Sequence, residues 1–478
     1  MSSDINRREF LTASAAAGAG ALFLGAQANS ARAAADDQWP PKLPTVNIYK
    51  VYIGRTGGIY LSRPEAEIKK LEDRMTQIEQ KLGDVKFIGG DLVPPEDVNK
   101  VLPKLRKADG VLLFHLSGHG GGAPSQALKQ IVAEGLPTVV FSQPFSGHGW
   151  MYFPRLQQQG NKVVLLPTSD WNELERATML LRVGPHMRNT KIIVVNKPLG
   201  TPDACSAEKV KETLGAQIIP VTIEQTVREH EMVDPKAAEA EAQQYWISKA
   251  QKIVEPTKEQ IINSARFYLA TKNLMIKTGA HAITSSGCMG RPAKACLTYS
   301  KLGDEGLVGA CEGDMDSTLT MLLFKYAFGI PGFISDPVID TSKNALIHFH
   351  CTSSTKMDGP NSERFPFTIR NQSDSEQGVS LDVQSRIGQT VTCAKFVNLK
   401  QMLISTGEIF DITHDELGCR TQFWTRVKDA DSMFMNWGKG LLTDDAMTLL
   451  HRVVFYGDRT KDINNLAVLM GFKVVEEA

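Results

Sequence analysis

The chain has 478 residues, too many for one hydrophobic core, so two or three domains are expected. It is 42% hydrophobic and 22% charged, and its 53 Lys and Arg balance its 53 Asp and Glu. Neutrality excludes the positive surplus with which a dedicated nucleic-acid binder displaces counterions, and gives no reason to expect an anionic membrane surface as partner.

The first 35 residues are set aside from the fold. Arg7 and Arg8, then Phe10-Leu11 and a mild Ala/Gly-rich apolar run, resemble a twin-arginine export signal, with small residues near Ala31–Ala35 for cleavage. That resemblance implies passage in the folded state and a periplasmic or extracellular location. The apolar run is shorter than the roughly 20 residues needed to span a bilayer, and no later segment is long and apolar enough either, so no stable membrane insertion is expected. Seven cysteines without a CxxC pair do not make a disulfide framework and read as small buried hydrophobes, with a single bridge left open.

From residue 45 the pattern repeats strand then helix. "TVNIYKVYIG" reads as a strand, "PEAEIKKLEDRMTQIEQKLG" as an amphipathic helix and "DVKFIGG" as a strand. A helix around "VNKVLPKLRKA" follows, then "GVLLFHLSG", "LPTVVFSQP", "NKVVLLPTS" and "TKIIVVNKP". Short Val/Ile/Leu-rich runs alternating with helices predict parallel strands buried on both faces, in a doubly wound α/β layout. Such folds bind ligands at the carboxyl ends of their strands, where His115, His119, Ser142 and Gln143 fall. "SGHGGG" lacks the Gly-Lys-Ser/Thr ending of a phosphate loop and reads first as a tight turn.

Residues 223–275 read as a charged helix pair packed on or bridging two lobes. Beyond residue 340, "NALIHFHCTSS", "RFPFTIRNQ", "GVSLDVQSRIGQTVTCAKF", "KQMLISTGEIFDI", "RTQFWTRV" and "HRVVFYGD" alternate apolar and polar residues between turns. They predict an antiparallel β region, a small barrel or a sandwich, closed by a helix and strand in "INNLAVLMGFKVVEEA". The expected organisation is a signal over 1–35, an N-terminal Rossmann-like domain over 36–172, a central α/β domain over 173–342 and a β-rich domain over 343–478.

Chemistry concentrates in "GACEGDMDSTLTMLLFKYAFGIPGFISDP", residues 309–337. Glu312, Asp314 and Asp316 precede a strongly apolar helix, and Asp336 follows a short apolar strand. Asp314 and Asp316 suit helix capping as well as ligation, since acids at a helix start meet free amides and the dipole. In "IHFHC", His348 and His350 are two apart and share a strand face. That spacing suits a metal, sugar hydroxyls or a satisfied core pair. Two carboxylates and an imidazole such as His451 make a hard-to-borderline site for an octahedral ion such as Mn²⁺ or Mg²⁺.

Residues 309–458 resemble the fucose/arabinose isomerase-like family of metal-dependent sugar isomerases. "CEGDMDSTLTMLL" resembles that family's Glu-Gly-Asp segment at a helix start, and "FISDP" stands where it places a second acid. "IHFHCTSS" resembles its His-Cys-Thr segment, and "LLHRVVFYGD" its late His before Gly-Asp. The resemblance implies two Rossmann-like domains followed by a β-barrel-like domain. It implies Glu312, Asp336 and His451 as ligands of a divalent metal, Mn²⁺ foremost, with Mg²⁺ or Co²⁺ possible. Glu312 and Asp336 would also move protons between neighbouring sugar carbons through an enediol. His350, His348 and Asp314 would line the sugar pocket. The family forms homo-oligomers in which one subunit's first domain covers its neighbour's site, so His115, His119 and Gln143 are expected to reach a neighbouring pocket.

Two departures stand out: "SSTKMDGPNSERFPFTIRNQSDSEQGVS" replaces the family's more uniform stretch after His-Cys-Thr, and the export signal is foreign to cytoplasmic sugar metabolism. The expected activity is aldose–ketose isomerisation of a small carbohydrate. Epimerisation, elimination or glycoside cleavage by the same carboxylates, and non-catalytic sugar binding, are the alternatives.

Overall fold

A computed structural model describes residues 39–54, 64–116, 122–144, 153–288, 290–438 and 446–478. The export-signal segment and His119 lie outside the described residues.

The first sheet is wholly parallel. Its order is Val85–Val93, Val46–Ile53, Gly110–His115, Thr138–Ser142 and Val163–Pro167. The central strands Gly110–His115 and Thr138–Ser142 are buried at every position, which is why they read as continuous apolar runs. The helix Pro64–Leu82 forms where its spacing predicts. The helix expected around residues 98–108 is instead a 3₁₀ turn over Pro95–Lys100 and a single turn over Leu102–Leu105. Pro103 has no N–H and is tolerated only in a first turn, so the segment breaks at that point.

A second parallel sheet follows, ordered Val308–Ala310, Ala282–Ser285, Lys191–Val195 and Gln217–Val221. The charged stretch is helical over Ile223–Met232, Pro235–Glu241 and Lys258–Thr278, with capping boxes at Thr222 and Thr257. Between these helices the short strand Lys252–Ile253 pairs with Phe367–Gln372 of the C-terminal region, so this segment does bridge two lobes.

Six antiparallel strands then close into a barrel. Their order is Thr390–Val397, Arg452–Tyr456, Phe333–Asp340, Ala345–His350, Thr421–Val427 and Gln401–Ile412, the last pairing back with the first. The choice between barrel and sandwich is thus resolved: α/β with two parallel sheets and a C-terminal antiparallel barrel. The strand Phe333–Asp340, assigned from the sequence to the central domain, is a barrel strand, so the barrel begins near residue 333 rather than 343. The final strand Lys473–Glu476 adds to the barrel in parallel.

The helix Met315–Phe328 holds these parts together. Apolar nearly all round, it is buried except at Lys325 and Phe328, as such helices must be. It packs between the helix Asn172–Arg188 and the barrel, where Phe324 stacks on Phe455 at 3.7 Å between ring centroids. Thr320 Oγ1 accepts the amide of Phe396 at 2.7 Å, pinning the strand Thr390–Val397 to the helix. All seven cysteines are free thiols, six of them buried. Among the described residues, no helix is long and apolar enough to cross a membrane.

Candidate metal centre

The centre forms where the second sheet, this helix and one end of the barrel meet. Val308–Ala310 ends in a short turn, Cys311–Gly313, in which Glu312 takes φ 61°, ψ 17° and Gly313 takes φ 74°. Two successive left-handed residues reverse the chain before the helix begins. A side chain on Gly313 would stand 3.0 Å from the Lys197 carbonyl oxygen, so the close approach requires glycine. A left-handed glutamate carries strain of about 1 kcal/mol that surrounding structure has to impose. Here Leu199 N donates to Gly313 O at 2.8 Å, Met315 N donates to Leu199 O at 2.9 Å, and the Cys311 thiol donates to Thr352 Oγ1 at 3.4 Å. The turn leaves the Glu312 side chain 43% exposed, facing the barrel histidines.

His350 ends its barrel strand, and His451 immediately precedes the strand Arg452–Tyr456. Their rings are 5.6 Å apart at 72°. Glu312 Oε1 lies 3.9 Å from His350 Nε2, and Glu312 Oε2 lies 3.8 Å from His451 Nε2. One ligand atom from each of Glu312, His350 and His451 falls within 4.8 Å of the others. Atoms bound to one ion at about 2.1 Å stand up to about 4.2 Å apart, so the three need draw together only slightly to share a cation.

Asp336 is the fourth member, with Oδ1 3.4 Å from His451 Nε2. Burial raises its carboxyl to about 6, with neighbouring His451 opposing the rise and Glu312 adding to it. Burial, and then the neighbouring His451, push His350 down to about 3, so it is neutral and available as a ligand.

Behind His451 stands Asp314. It caps the helix, accepting from Ser317 N at 2.9 Å and Ser317 Oγ at 2.7 Å. Its Oδ2 also accepts from Lys395 Nζ at 2.9 Å and pairs with His451 Nδ1 at 2.8 Å, and all three side chains are fully buried. Burial alone would raise this carboxyl, but the Lys395 ammonium, the His451 hydrogen bond and the Ser317 amide hold it well below the usual carboxylate range. An ionised Asp314 must accept, so His451 Nδ1 carries a proton and Nε2 is turned toward the cluster. His451 Nε2 is buried and has no hydrogen-bond partner among the described residues. A buried imidazole fixed by a carboxylate, with its other nitrogen orphaned beside two carboxylates, fits a bound cation.

Two sequence expectations are corrected. Asp314 does not line a sugar pocket; it is fully buried and orients His451. His348 shares a face with His350 but is the satisfied core residue of the pair. Its Nδ1 meets Ser335 Oγ at 2.8 Å and its Nε2 meets Thr425 Oγ1 at 3.0 Å, with Phe423 packed on its ring. His350, expected to bind hydroxyls, also stands with Glu312 and His451 among the residues that could hold a metal ion, and Asp336 lies beside them.

Asp316 is a structural bracket, accepting from Thr201 N at 2.7 Å and Thr201 Oγ1 at 2.6 Å. His115 ends a strand of the first sheet, buried and pushed down to about 4 by that burial, and Gln143 follows the next strand. Among the described residues, no hydrogen bond or ion pair links either to the Glu312 cluster. Lys395 was missed by sequence reasoning. The available signal was a lysine inside the apolar alternation "VTCAKF". A scan against protein-family models and a search of curated proteins found no match to the chain.

Proposed function

We propose that this cluster is a divalent-cation site, Mn²⁺ foremost, at which the protein interconverts an aldose and its ketose outside the cytoplasm. The carrying observation is that two carboxylates converge on one imidazole nitrogen: Glu312 at 3.8 Å and Asp336 at 3.4 Å from His451 Nε2. Glu312, His350 and His451 would hold the cation. When bound, it supplies Lewis-acid stabilisation of charge developing on neighbouring substrate oxygens.

The chain's own residues account for the proton movements. One carboxylate takes the proton from the hydroxyl-bearing carbon beside the carbonyl, and a proton returns to the former carbonyl carbon. The second carboxyl shifts a hydroxyl proton between the adjacent oxygens. Both tasks need a carboxylate within reach of the substrate, and a pair supplies base and acid together. Asp314 keeps His451 in the tautomer that leaves Nε2 free, and Lys395 keeps Asp314 ionised.

The test begins with elemental mass spectrometry on the folded protein purified without added metal, beside Glu312→Gln. A near-stoichiometric divalent ion in the parent and its loss in the variant are expected. Aldoses incubated with the loaded parent in deuterated water should then gain deuterium at the carbon beside the carbonyl as ketose appears. No metal in either protein after Mn²⁺ loading removes the reading. Release of a free sugar from glycosides without ketose formation would assign hydrolysis instead.

A further inference from the structure

A second site lies at the far end of the helix Met315–Phe328. Lys325 is eleven residues beyond the cap Asp314, about 16 Å along the axis from the metal cluster. It lines a cavity of about 580 Å³, within the usual size range of small-ligand pockets. Most of the wall is apolar, from Trp39, Pro40, Leu307, Met321, Ile330 and Pro331. Its charged and polar lining includes Lys42, Asp84, Arg182, His186 and Lys325.

The charges there do not balance. Arg182 donates from Nη1 to Asp84 Oδ1 at 2.9 Å and Oδ2 at 2.8 Å, and from Nε to the Tyr326 carbonyl at 3.0 Å, so Asp84 is already neutralised. The Lys325 ammonium has no hydrogen bond or ion pair among the described residues, and the Tyr326 ring centroid lies 5.2 Å from it. His186 is 2% exposed, and neither ring nitrogen has a hydrogen-bond partner among the described residues, with Asp84 Oδ2 3.6 Å from Nε2. A partly buried cation and an orphaned imidazole beside apolar walls favour an anionic partner.

We propose that this cavity binds a small organic monocarboxylate, its head on Lys325 and His186 and its apolar body against Trp39, Ile330 and Pro331. A neutral sugar would leave the ammonium unpaired and set hydroxyls against apolar wall. A phosphate would bring no apolar body to fill the rest. Burial and the Arg182 charge push the Lys325 ammonium down to about 7, so an anionic partner gains by restoring it.

Benzoate and its neutral counterpart benzyl alcohol, titrated calorimetrically into the full chain at pH 6.5, test this. Benzoate is expected to bind more tightly, and Lys325→Met to weaken it at least about tenfold, the worth of one charge-assisted hydrogen bond, with benzyl alcohol unmoved. Glu312→Gln should leave benzoate binding intact, which separates this site from the metal cluster. If Lys325→Met does not fold, His186→Phe probes the same head pocket and should weaken benzoate in the same sense. Equal binding of the two probes, benzoate indifferent to the variant that folds, or no binding at millimolar concentration overturns the proposal.

Discussion

Asp314 Oδ2 stands 2.8 Å from His451 Nδ1 and 2.9 Å from Lys395 Nζ, so one buried carboxylate oxygen caps a charge and aims an imidazole at once. Asp314→Asn breaks this arrangement, because its amide N–H₂ would replace either the oxygen that accepts the Ser317 amide or the one that accepts from His451 and the Lys395 ammonium. The metal-free protein should lose ~3–5 kcal/mol, the usual cost of stranding a buried charge. Metal affinity should fall about 10- to 100-fold although no ligand is removed. Urea denaturation and a Mn²⁺ titration of the folded fraction check both effects. Unchanged affinity would mean that His451 needs no orientation from Asp314.

Glu312 occupies a left-handed conformation that an ordinary residue pays to adopt. Glu312→Gly is therefore expected to stabilise the metal-free chain by about 1 kcal/mol or less, strain relief being partly offset by the looser unfolded chain. The same change should abolish stoichiometric metal binding. A variant at once more stable and metal-free would identify the strain as serving the site. A destabilised Glu312→Gly would place the value of this side chain in packing instead.

His350 and Asp336 separate ligation from proton transfer. The tightest set of potential ligands contains His350, while Asp336 approaches only the His451 nitrogen at 3.4 Å. His350→Ala should lose the metal. Asp336→Asn should keep most of it yet lower turnover about 10²- to 10⁴-fold, the usual worth of a positioned acid or base. Elemental analysis beside deuterium incorporation reads the two apart. The opposite pattern would make Asp336 the third ligand, as the sequence resemblance implied.

Much of this was legible in the sequence, for specific physical reasons. The runs "GVLLFH" and "TVVFS" are unbroken because parallel strands are buried on both faces, and the alternation after residue 340 follows from a barrel with an inside and an outside. Glu312 and His451 stood out as polar residues at element ends, where chain direction changes and side chains converge, whereas Asp336, expected to follow a short strand, lies inside Phe333–Asp340 and pairs with Phe349. What failed was partner choice within one face. His348 and His350 are equivalent by spacing, but only the three-dimensional neighbours Ser335 and Thr425 occupy the nitrogens of His348. Lys395 and Asp314 are 81 residues apart, and nothing local announces their pairing. The Lys325 cavity left no motif, because its charged and polar lining draws on residues 42, 84, 182, 186 and 325.

Lys325 also carries a pH-dependent stability signature. Its folded-state value, lowered to about 7, lies well below the roughly 10.4 of an unfolded lysine. Between those values the unfolded chain binds more protons than the folded one, so this residue's contribution to stability rises with pH through the window. Below about pH 7 the folded protein bears the whole cost of the buried charge. Among the groups facing it, Arg182 and Asp84 form an ion pair, burial pushes His186 to about 4, and burial raises the Tyr326 hydroxyl above its ordinary range. His281, pushed down to about 3, and Lys42 complete the surroundings. Lys325→Met removes the titration, so it should be more stable than the parent by ~1–3 kcal/mol at pH 6.5 after allowance for solvent screening. That gap should close as pH approaches 10. Paired urea denaturations at pH 6.5, 8 and 9.5 measure it, and a gap that is constant or widens with pH would mean that the ammonium is not desolvated in the folded protein.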